Sequence, residues 1–344
     1  MPTVAHTDLS RFARAVFESA GVSPANAAIW AETLIWANLR GVDSHGVLRI
    51  PRYVELLASG EINATPNIQR LISAGAIALL DADRAPGPVA MQRAMDEAID
   101  HARAVHVGWC VARGITHAGA VGHFALKAAA AGMIGVVMTA SVPLMAYHGS
   151  KGSVVSTNPI AIAVPAANRP PLLLDMATAT VALGKITQAR NSGVAIPPDW
   201  GVDRDGVATT DPHQVATLLP MSGMKGSGLS LMIECIASLT AANPVIAPAL
   251  TGRKGTNMNG TAIALDIAAF GDRSVFLADV DTLGAAIVAQ PSAPGIQRLR
   301  LPGERGDATR AERERSGIPV PPGTWSGLAA VAAAMGIPMP EPLT

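Results

Sequence analysis

Cysteine is nearly absent from this chain of 344 residues, which contains only Cys110 and Cys235. The two cysteines do not form a CxxC pair, and nothing near them has the spacing of a zinc site. Two isolated thiols in a chain of this length are typical of a reducing compartment. The N-terminal residues also lack the basic and then apolar layout of a signal peptide. We therefore expect a cytoplasmic protein.

Charged residues are scarce as well, at 15% of the chain against 49% apolar residues, whereas about a quarter is usual. The 26 basic residues balance the 26 acidic ones, so no excess charge points to a nucleic acid or an anionic membrane. The stretch 128–147 lacks charge, but Gly132, Gly135 and Pro143 interrupt it, and a helix followed by a strand fits better than a membrane span. A surface so poor in charge predicts a dimer or a multiple of one.

The fingerprint of a Rossmann dinucleotide fold is missing. A strand expected at 107–112 leads into a loop with Gly114, Gly119 and Gly122, but this loop has neither GxGxxG spacing nor a clear acid about 20 residues further on. We therefore reject the doubly wound Rossmann fold. Metal motifs of the HxH or HExxH type are absent too, and we expect no metal site.

The apolar periodicity divides the chain into three parts. The first 60 residues are typical of helices, strands and helices alternate from about residue 70, and helices return after Gly303. This order predicts an α/β fold in which both termini pack together beside a central sheet domain. We expect a helical domain formed by 1–72 and 299–344, and an α/β cofactor-binding domain over 73–298.

The densest group of reactive side chains lies in 38–53, where Ser44, His45 and Arg49 fall within six residues. If a helical turn starts at Asp43 and Ser44, His45 and Arg49 stand at i and i+4 and share a face. Imidazole titrates near neutrality, and a guanidinium binds a carboxylate in bidentate fashion. The pair suits proton transfer beside the carboxylate of a 2-oxo or 2-hydroxy acid. On residue types alone, a helix cap with two solvated side chains is the alternative.

Three further segments have two interpretations each. The run 223–228 places Lys225 among glycines, ahead of a buried helix expected at 228–240, which suits a pyrophosphate but also a plain flexible turn. Asp175 ends an apolar strand and either binds a ligand or only caps a helix. Asn158 precedes another apolar strand and fits either a site loop or ordinary turn chemistry.

Taken together, these segments resemble the signature of the malate/L-lactate dehydrogenase family. This type 2, non-Rossmann group includes ureidoglycolate and sulfolactate dehydrogenases, diketogulonate reductase and piperideine-carboxylate reductases. The motif 41–47, followed by Arg49 and Tyr53, carries the resemblance, and further matches occur in the same order at 116–122, 156–163, 174–178, 223–229 and, more weakly, 301–305. The resemblance implies a mixed central β-sheet that binds the cofactor, beside a helical domain built from both termini.

The resemblance also implies an activity and a set of site residues. It implies hydride transfer between NAD or NADP and C2 of a small 2-oxo or 2-hydroxy acid. His45 would be the acid and base, Ser44 would orient it, and Arg49 would bind the substrate carboxylate. His117 competes for the acid–base role, and Asn158 reaches the substrate. The residues expected to bind cofactor are His117, Gly119, Asp175, Met176, Ala177, Thr178, Met224, Lys225, Gly303, Glu304 and Arg305.

Alternatives and departures from the family pattern remain. Within the family, the substrate could instead be a cyclic or N-alkyl imine acid. From another class, His45, His117 and Asp175 could be ligands of a metallohydrolase. Ala179 and Gly306 stand where the family usually has serine and a second acid. Relatives pair so that both subunits shape each cleft, and we expect a homodimer or higher multiple to which apolar residues of the second helix contribute, namely Trp30, Leu34 and Trp36.

Overall fold

The computed structural model describes residues 1–253 and 258–343. Its helices are α1 His6–Ser19, α2 Pro24–Leu39, α3 Ile50–Ala58, α4 Gly87–Val105, α5 Gly122–Ala130, α6 Leu183–Ser192, α7 Met224–Glu234, α8 Ile246–Leu250, α9 Arg273–Val288, α10 Glu304–Ser316 and α11 Pro322–Met335. Its strands are β1 Thr3–Val4, β2 Gln69–Ala74, β3 Ile77–Asp81, β4 Val107–Ile115, β5 Met133–Ala140, β6 Met145–Ala146, β7 Ser153–Val155, β8 Ile160–Val164, β9 Leu172–Met176, β10 Gly201–Val202, β11 Thr217–Leu218, β12 Met258–Asp266 and β13 Ile318–Pro319.

A seven-stranded mixed sheet forms the centre of the molecule, with strand order β2-β3-β4-β12-β5-β8-β9. Strands β3 and β4 are parallel, and the other neighbours are antiparallel. Helices α4 and α5 pack on one face through small buried side chains, which bring helix and sheet backbones close together. At Gly108, a Cβ atom would come within 1.8 Å of the Ala98 carbonyl oxygen. The mixed sheet confirms the fold class and the absence of a Rossmann fold.

The two ends of the chain meet in a separate helical core. Strand β1 pairs with β13, and α1, α2, α3 and α11 share one apolar cluster. Within it, Phe17 stacks on Trp30 with ring centroids 4.1 Å apart, and Leu34 is fully buried. Both termini therefore build the helical part, as the sequence predicts. Strand β2 begins at Gln69, four residues before residue 73, where the sheet domain is expected to start.

The structure corrects several expectations about individual elements. Trp30, Leu34 and Trp36 are buried within one chain, because α2 lies between the helical core and the sheet. The helix expected at 228–240 starts earlier, at Met224, and continues as a π-helical turn, Cys235–Leu239; it is only partly buried. The sequence does not predict helix α9. Only Val280 and Gly284 of this helix are buried, so its sequence carries no apolar stripe.

A small four-stranded sheet, β10-β11-β6-β7, forms a third cluster with side chains from α6. Strand β10 of this sheet comes from the stretch 192–212, of which Gly201 and Val202 alone form a strand. Across the described ranges, none of the helices has the length and apolar character needed to cross a membrane.

Candidate active site

A cavity of about 530 Å³ lies where the helical core meets the end of the central sheet. Its walls come from the end of α2, the segment after it, the loop before α5, β9 and the start of α10. The cavity brings together ten of the residues selected from the sequence: Ser44, His45, Arg49, His117, Gly119, Asp175, Met176, Ala177, Gly303 and Arg305.

The segment that carries His45 and Arg49 consists of two successive 3₁₀ turns, Asp43–His45 and Val47–Arg49. This corrects the expected single helical turn, although both side chains still reach the cavity. Gly46 separates the turns, and a Cβ atom there would lie 2.1 Å from Asn38 Oδ1. The same Asn38 oxygen accepts a hydrogen bond from the Val47 N–H at 2.8 Å. Close contact with α2 therefore interrupts the helix at Gly46.

His45 is held from its own segment. The Ser44 hydroxyl lies 2.9 Å from His45 Nδ1, and Arg49 Nε donates to the Ser44 carbonyl oxygen at 2.7 Å. Desolvation at the cavity wall, and then the charge of Arg49, lower the pKa of His45 to about 4. The imidazole is therefore neutral at pH 7.

His117 lies next to His45 in the cavity wall. The two rings are stacked with centroids 5.4 Å apart. The hydroxyl of the buried Tyr53 lies 2.7 Å from His117 Nδ1. Burial raises the pKa of Tyr53, while burial and then the charges of His45 and Arg49 hold the pKa of His117 well below its usual value. In the tautomer that carries its hydrogen on Nε2, His117 accepts the Tyr53 hydroxyl hydrogen at Nδ1.

Asp175 joins the sheet to the loop that carries His117. It lies opposite Ala161 in a cross-strand row on the side of the sheet that α4 and α5 cover. Its carboxylate accepts the Gly122 N–H at 3.0 Å, and a Cβ atom on Gly122 would lie 2.6 Å from the same oxygen. The carboxyl is open to the cavity but surrounded by protein atoms, and this desolvation raises its pKa to about 6, against the lowering effects of Gly122 and Arg40.

Arginines dominate the charge of the cavity. Arg40 and Arg300 line it together with Arg49 and Arg305, whereas Asp175 is the one carboxylate among the described lining residues. Buried Arg40 forms an ion pair with Asp307, donates to the Gly303 carbonyl oxygen at 2.9 Å and lies over the Trp36 ring. The cavity is thus suited to anions.

Five of the selected residues lie outside the cavity wall. Asn158 is buried, where it accepts the Ser141 N–H and donates to the Ser230 carbonyl oxygen, so it fixes the loop rather than facing the cavity. Thr178 is fully buried. Met224 and Lys225 are exposed on the first turn of α7, and Glu304 forms an ion pair with Arg298.

Sequence reasoning missed several residues of the site. Tyr53 entered only as part of a family motif, and Arg40 and Arg300 were not selected. Tyr53 and His117 are 64 positions apart, so no local spacing joins them. Over the parts of the chain that the structure describes, no three His, Cys, Asp or Glu side chains are grouped to hold a metal ion.

The site combines neutral imidazoles, which can transfer protons, with arginines, which can bind a carboxylate. An enzyme that transfers a proton on a small carboxylic acid needs both kinds of group. The chain belongs to the malate/L-lactate dehydrogenase family, whose model matches residues 4–329. It is therefore an oxidoreductase of a family that acts on 2-hydroxy acids, which argues against the metallohydrolase alternative.

Individual relatives cover most of the chain. A malate dehydrogenase from Pyrococcus horikoshii is 36% identical over 316 residues, which are 89% of this chain and 88% of the relative. A ureidoglycolate dehydrogenase (NAD(+)) from Escherichia coli is 33% identical over 88% of this chain and 87% of the relative. The solved structure of the Pyrococcus enzyme has a TM-score of 0.89 over 99% of this chain and 97% of its own, at 33% identity. A delta1-piperideine-2-carboxylate reductase from Pseudomonas syringae has a TM-score of 0.85 over 96% and 100%, at 28% identity.

Proposed function

We propose that the protein is a nicotinamide-dependent dehydrogenase that interconverts a small 2-hydroxy acid and its 2-oxo acid. One observation carries the proposal: His45, His117 and Arg49 line one cationic cavity in a chain of the malate/L-lactate dehydrogenase family. The domain division at 1–72, 73–298 and 299–344 and a cytoplasmic location are part of the same proposal.

Arg49 is the proposed anchor for the substrate carboxylate. Its Nε donates to the Ser44 carbonyl oxygen at 2.7 Å, which fixes the guanidinium plane. Its Nη atoms make no hydrogen bond or ion pair with any described residue, so they remain as a two-pronged donor for a carboxylate. Asn158 supports the substrate side indirectly, through the loop that contains Ser141.

His45 is the proposed acid and base, with Ser44 orienting its ring. In oxidation the neutral imidazole takes the hydroxyl proton of the substrate, and in reduction it returns a proton to the oxo group. A bound carboxylate adds negative charge and therefore raises the pKa of His45 toward the working pH. His117, with its hydrogen on Nε2, donates a hydrogen bond that polarises the C2 carbonyl.

The residues present fit a nicotinamide dinucleotide. The volume of about 530 Å³ and the excess of arginine suit a ligand with a diphosphate,. Seven residues of the cavity wall would hold the cofactor: His117, Gly119, Asp175, Met176, Ala177, Gly303 and Arg305. Four residues outside the wall are proposed as further contacts: Thr178, Glu304, Met224 and Lys225. When bound, reduced nicotinamide supplies the hydride that C2 receives. A relative named for NAD(+) favours NAD, and NADP is the alternative.

Reduction of an imine acid is a second candidate, because one structural neighbour is a delta1-piperideine-2-carboxylate reductase. An imine beside a carboxylate needs the same anchor and the same proton donor. A panel of 2-oxo acids, each with and without methylamine or ammonia, tests both candidates against NADH and NADPH. Turnover of 2-oxo acids alone supports the dehydrogenase, turnover only with amine supports the imine reductase, and no cofactor oxidation contradicts both. A metallohydrolase would lose activity with a chelator.

We also propose a homodimer or a multiple of one. Met224, Met232 and Leu239 are 72%, 51% and 52% exposed on α7 and the π-helical turn after it. Large apolar side chains that share one segment of a single chain are typical of a surface that a second subunit covers.

A further inference from the structure

Helix α10 is attached to the rest of the protein in an unusual way. None of its 13 residues, all of which are described, is buried. Its charged side chains connect it instead. Near its start, Asp307 forms an ion pair with the buried Arg40, and near its end, Arg313 forms one with Asp43. An exposed helix therefore touches two elements that line the cavity.

The contact of Arg313 with Asp43 is bidentate. One Nη atom lies 2.7 Å from Asp43 Oδ1 and the other lies 3.1 Å from Oδ2. Arg313 also donates to the Asn38 carbonyl oxygen at the end of α2. The Asn38 side chain in turn donates to Asp43 Oδ1 at 2.7 Å. Parallel guanidinium–carboxylate bonds fix direction as well as distance, so this carboxylate has little freedom to move.

Asp43 is the first residue of the turn that carries Ser44 and His45. Arg49 is oriented by the carbonyl oxygen of Ser44, and the Ser44 hydroxyl lies beside His45 Nδ1. A shift of Asp43 is therefore transmitted to both His45 and Arg49, although Arg313 does not line the cavity.

We propose that Arg313 and Asp43 are positioning residues, through which α10 sets the geometry of His45 and Arg49. This inference rests on the proposed function of those two residues. The Asn38 contacts with Asp43 and Val47 do not involve α10. Loss of Arg313 therefore loosens the segment without unfolding it, and affects the substrate rather than the cofactor.

The test compares Arg313→Ala with Arg310→Ala. Arg310 lies on the same helix and pairs at the surface with Glu314, so the control also removes one arginine and one ion pair. A displacement of about 1 Å costs up to ~10²-fold in rate. For Arg313→Ala we expect kcat/KM for the 2-oxo acid to fall roughly tenfold to a hundredfold, with a higher KM and an unchanged Kd for reduced cofactor.

Conservative variants separate positioning from general stability. Asp43→Asn keeps the shape of Asp43, Arg313→Lys keeps the positive charge of Arg313, and both are expected to lose less activity than Arg313→Ala. The double variant Asp43→Asn/Arg313→Ala should be no worse than the worse single variant, because both remove one interaction. Thermal unfolding of each variant shows whether a loss of kcat/KM follows a loss of fold.

Two results would count against the inference. If Arg313→Ala keeps the kcat/KM of Arg310→Ala in an active protein, the inference is wrong and the proposed function stands. If the wild-type protein oxidises neither cofactor with any oxo or imine acid, the proposed function is wrong and the inference with it.

Discussion

At the scale of single residues, the site combines two neutral histidines with different neighbours. Ser44 can donate to or accept from His45, so this imidazole changes its proton without leaving a group unpaired. The neutral Tyr53 hydroxyl is the partner of His117 Nδ1, and in the tautomer with its hydrogen on Nε2 this ring presents a donor. The pKa values of both histidines are lowered, so they do not distinguish the two proposed roles. The hydrogen-bond partners, Ser44 for His45 and Tyr53 for His117, do distinguish them.

The first prediction concerns pH. With the pKa of free His45 at about 4, its neutral form dominates above that value. We expect kcat/KM for oxidation of the 2-hydroxy acid to be flat from pH 8 to about pH 5 and to fall at lower pH, because the base becomes protonated. Reduction needs the protonated form, so its kcat/KM should rise about tenfold for each unit that the pH is lowered from 8 to 5. Initial rates in both directions provide the measurement.

His45→Ala is the control for the pH profile. It should lose ~10²–10⁴-fold in turnover and lose the pH dependence of reduction, while it still binds reduced cofactor. If His45→Ala keeps more than about a tenth of wild-type turnover and His117→Ala does not, the acid–base role belongs to His117.

The second prediction concerns the carboxylate anchor. Arg49→Ala removes a charge-assisted interaction of ~1.5–3 kcal/mol, so the KM for the substrate should rise roughly tenfold to a hundredfold. Arg49→Lys should restore only part of the affinity, because lysine lacks the planar fork. Titration with a non-reducible carboxylate analogue measures the affinity directly. An unchanged affinity in Arg49→Ala would place the carboxylate elsewhere.

At the scale of elements, local sequence signals were sufficient to predict those helices and strands whose structure depends on their own segment of the chain. Helix α2 starts after its Ser23 cap, with Pro24 in its first turn. The strand expected at 107–112 is present and continues to Ile115. Strand β2, fully exposed at the sheet edge, and α9 have no apolar pattern to reveal them. The break at Gly46 depends on Asn38 from another helix, which no pattern within the segment predicts.

The candidate site shows the same limit. The glycine loops and the strand end at Asp175 were visible locally, whereas Tyr53 and Arg40 act through partners far away in sequence, His117 and Asp307. Long-range pairing of this kind is decided by tertiary packing and leaves no periodic signal in the sequence.

The third prediction concerns the approach of α6 to the site. A Cβ atom on Gly184 would lie 2.8 Å from Ser44 Cβ, so Gly184→Ala must displace Ser44 or the start of α6. We expect kcat/KM to fall at least tenfold with little change in the unfolding midpoint. Gly323→Ala, at the start of α11, is the matched control, because nothing lies within 4 Å of its Cβ position. Equal kcat/KM of the two variants would contradict the prediction, because it would mean that α6 can move away from Ser44 without affecting activity.

At the scale of the whole molecule, the central sheet has two unequal faces. The register places one apolar residue from each of six strands in a single cross-strand row. The row consists of Ile77, Trp109, Ile263, Val136, Ile162 and Leu174, and none of these is buried. The neighbouring row of small residues under α4 and α5 is buried. A sheet face this apolar is typical of a subunit contact.

The fourth prediction is that a second copy of the chain covers this face. Obligate interfaces bury about 2,000 Å² or more in total, and the sheet row and the exposed Met232 and Leu239 are apolar side chains of the kind that we expect at such an interface. We expect sedimentation at low micromolar concentration to show a dimer or a multiple of one.

Trp109→Glu and Met232→Glu should shift the protein toward monomer, because each would bury an unpaired charge. Gln290→Glu, at an exposed site on another helix end, should not. If both subunits shape each cleft, as the family resemblance implies, the dissociated variants should also lose turnover, and a stable, fully active monomer would contradict the prediction.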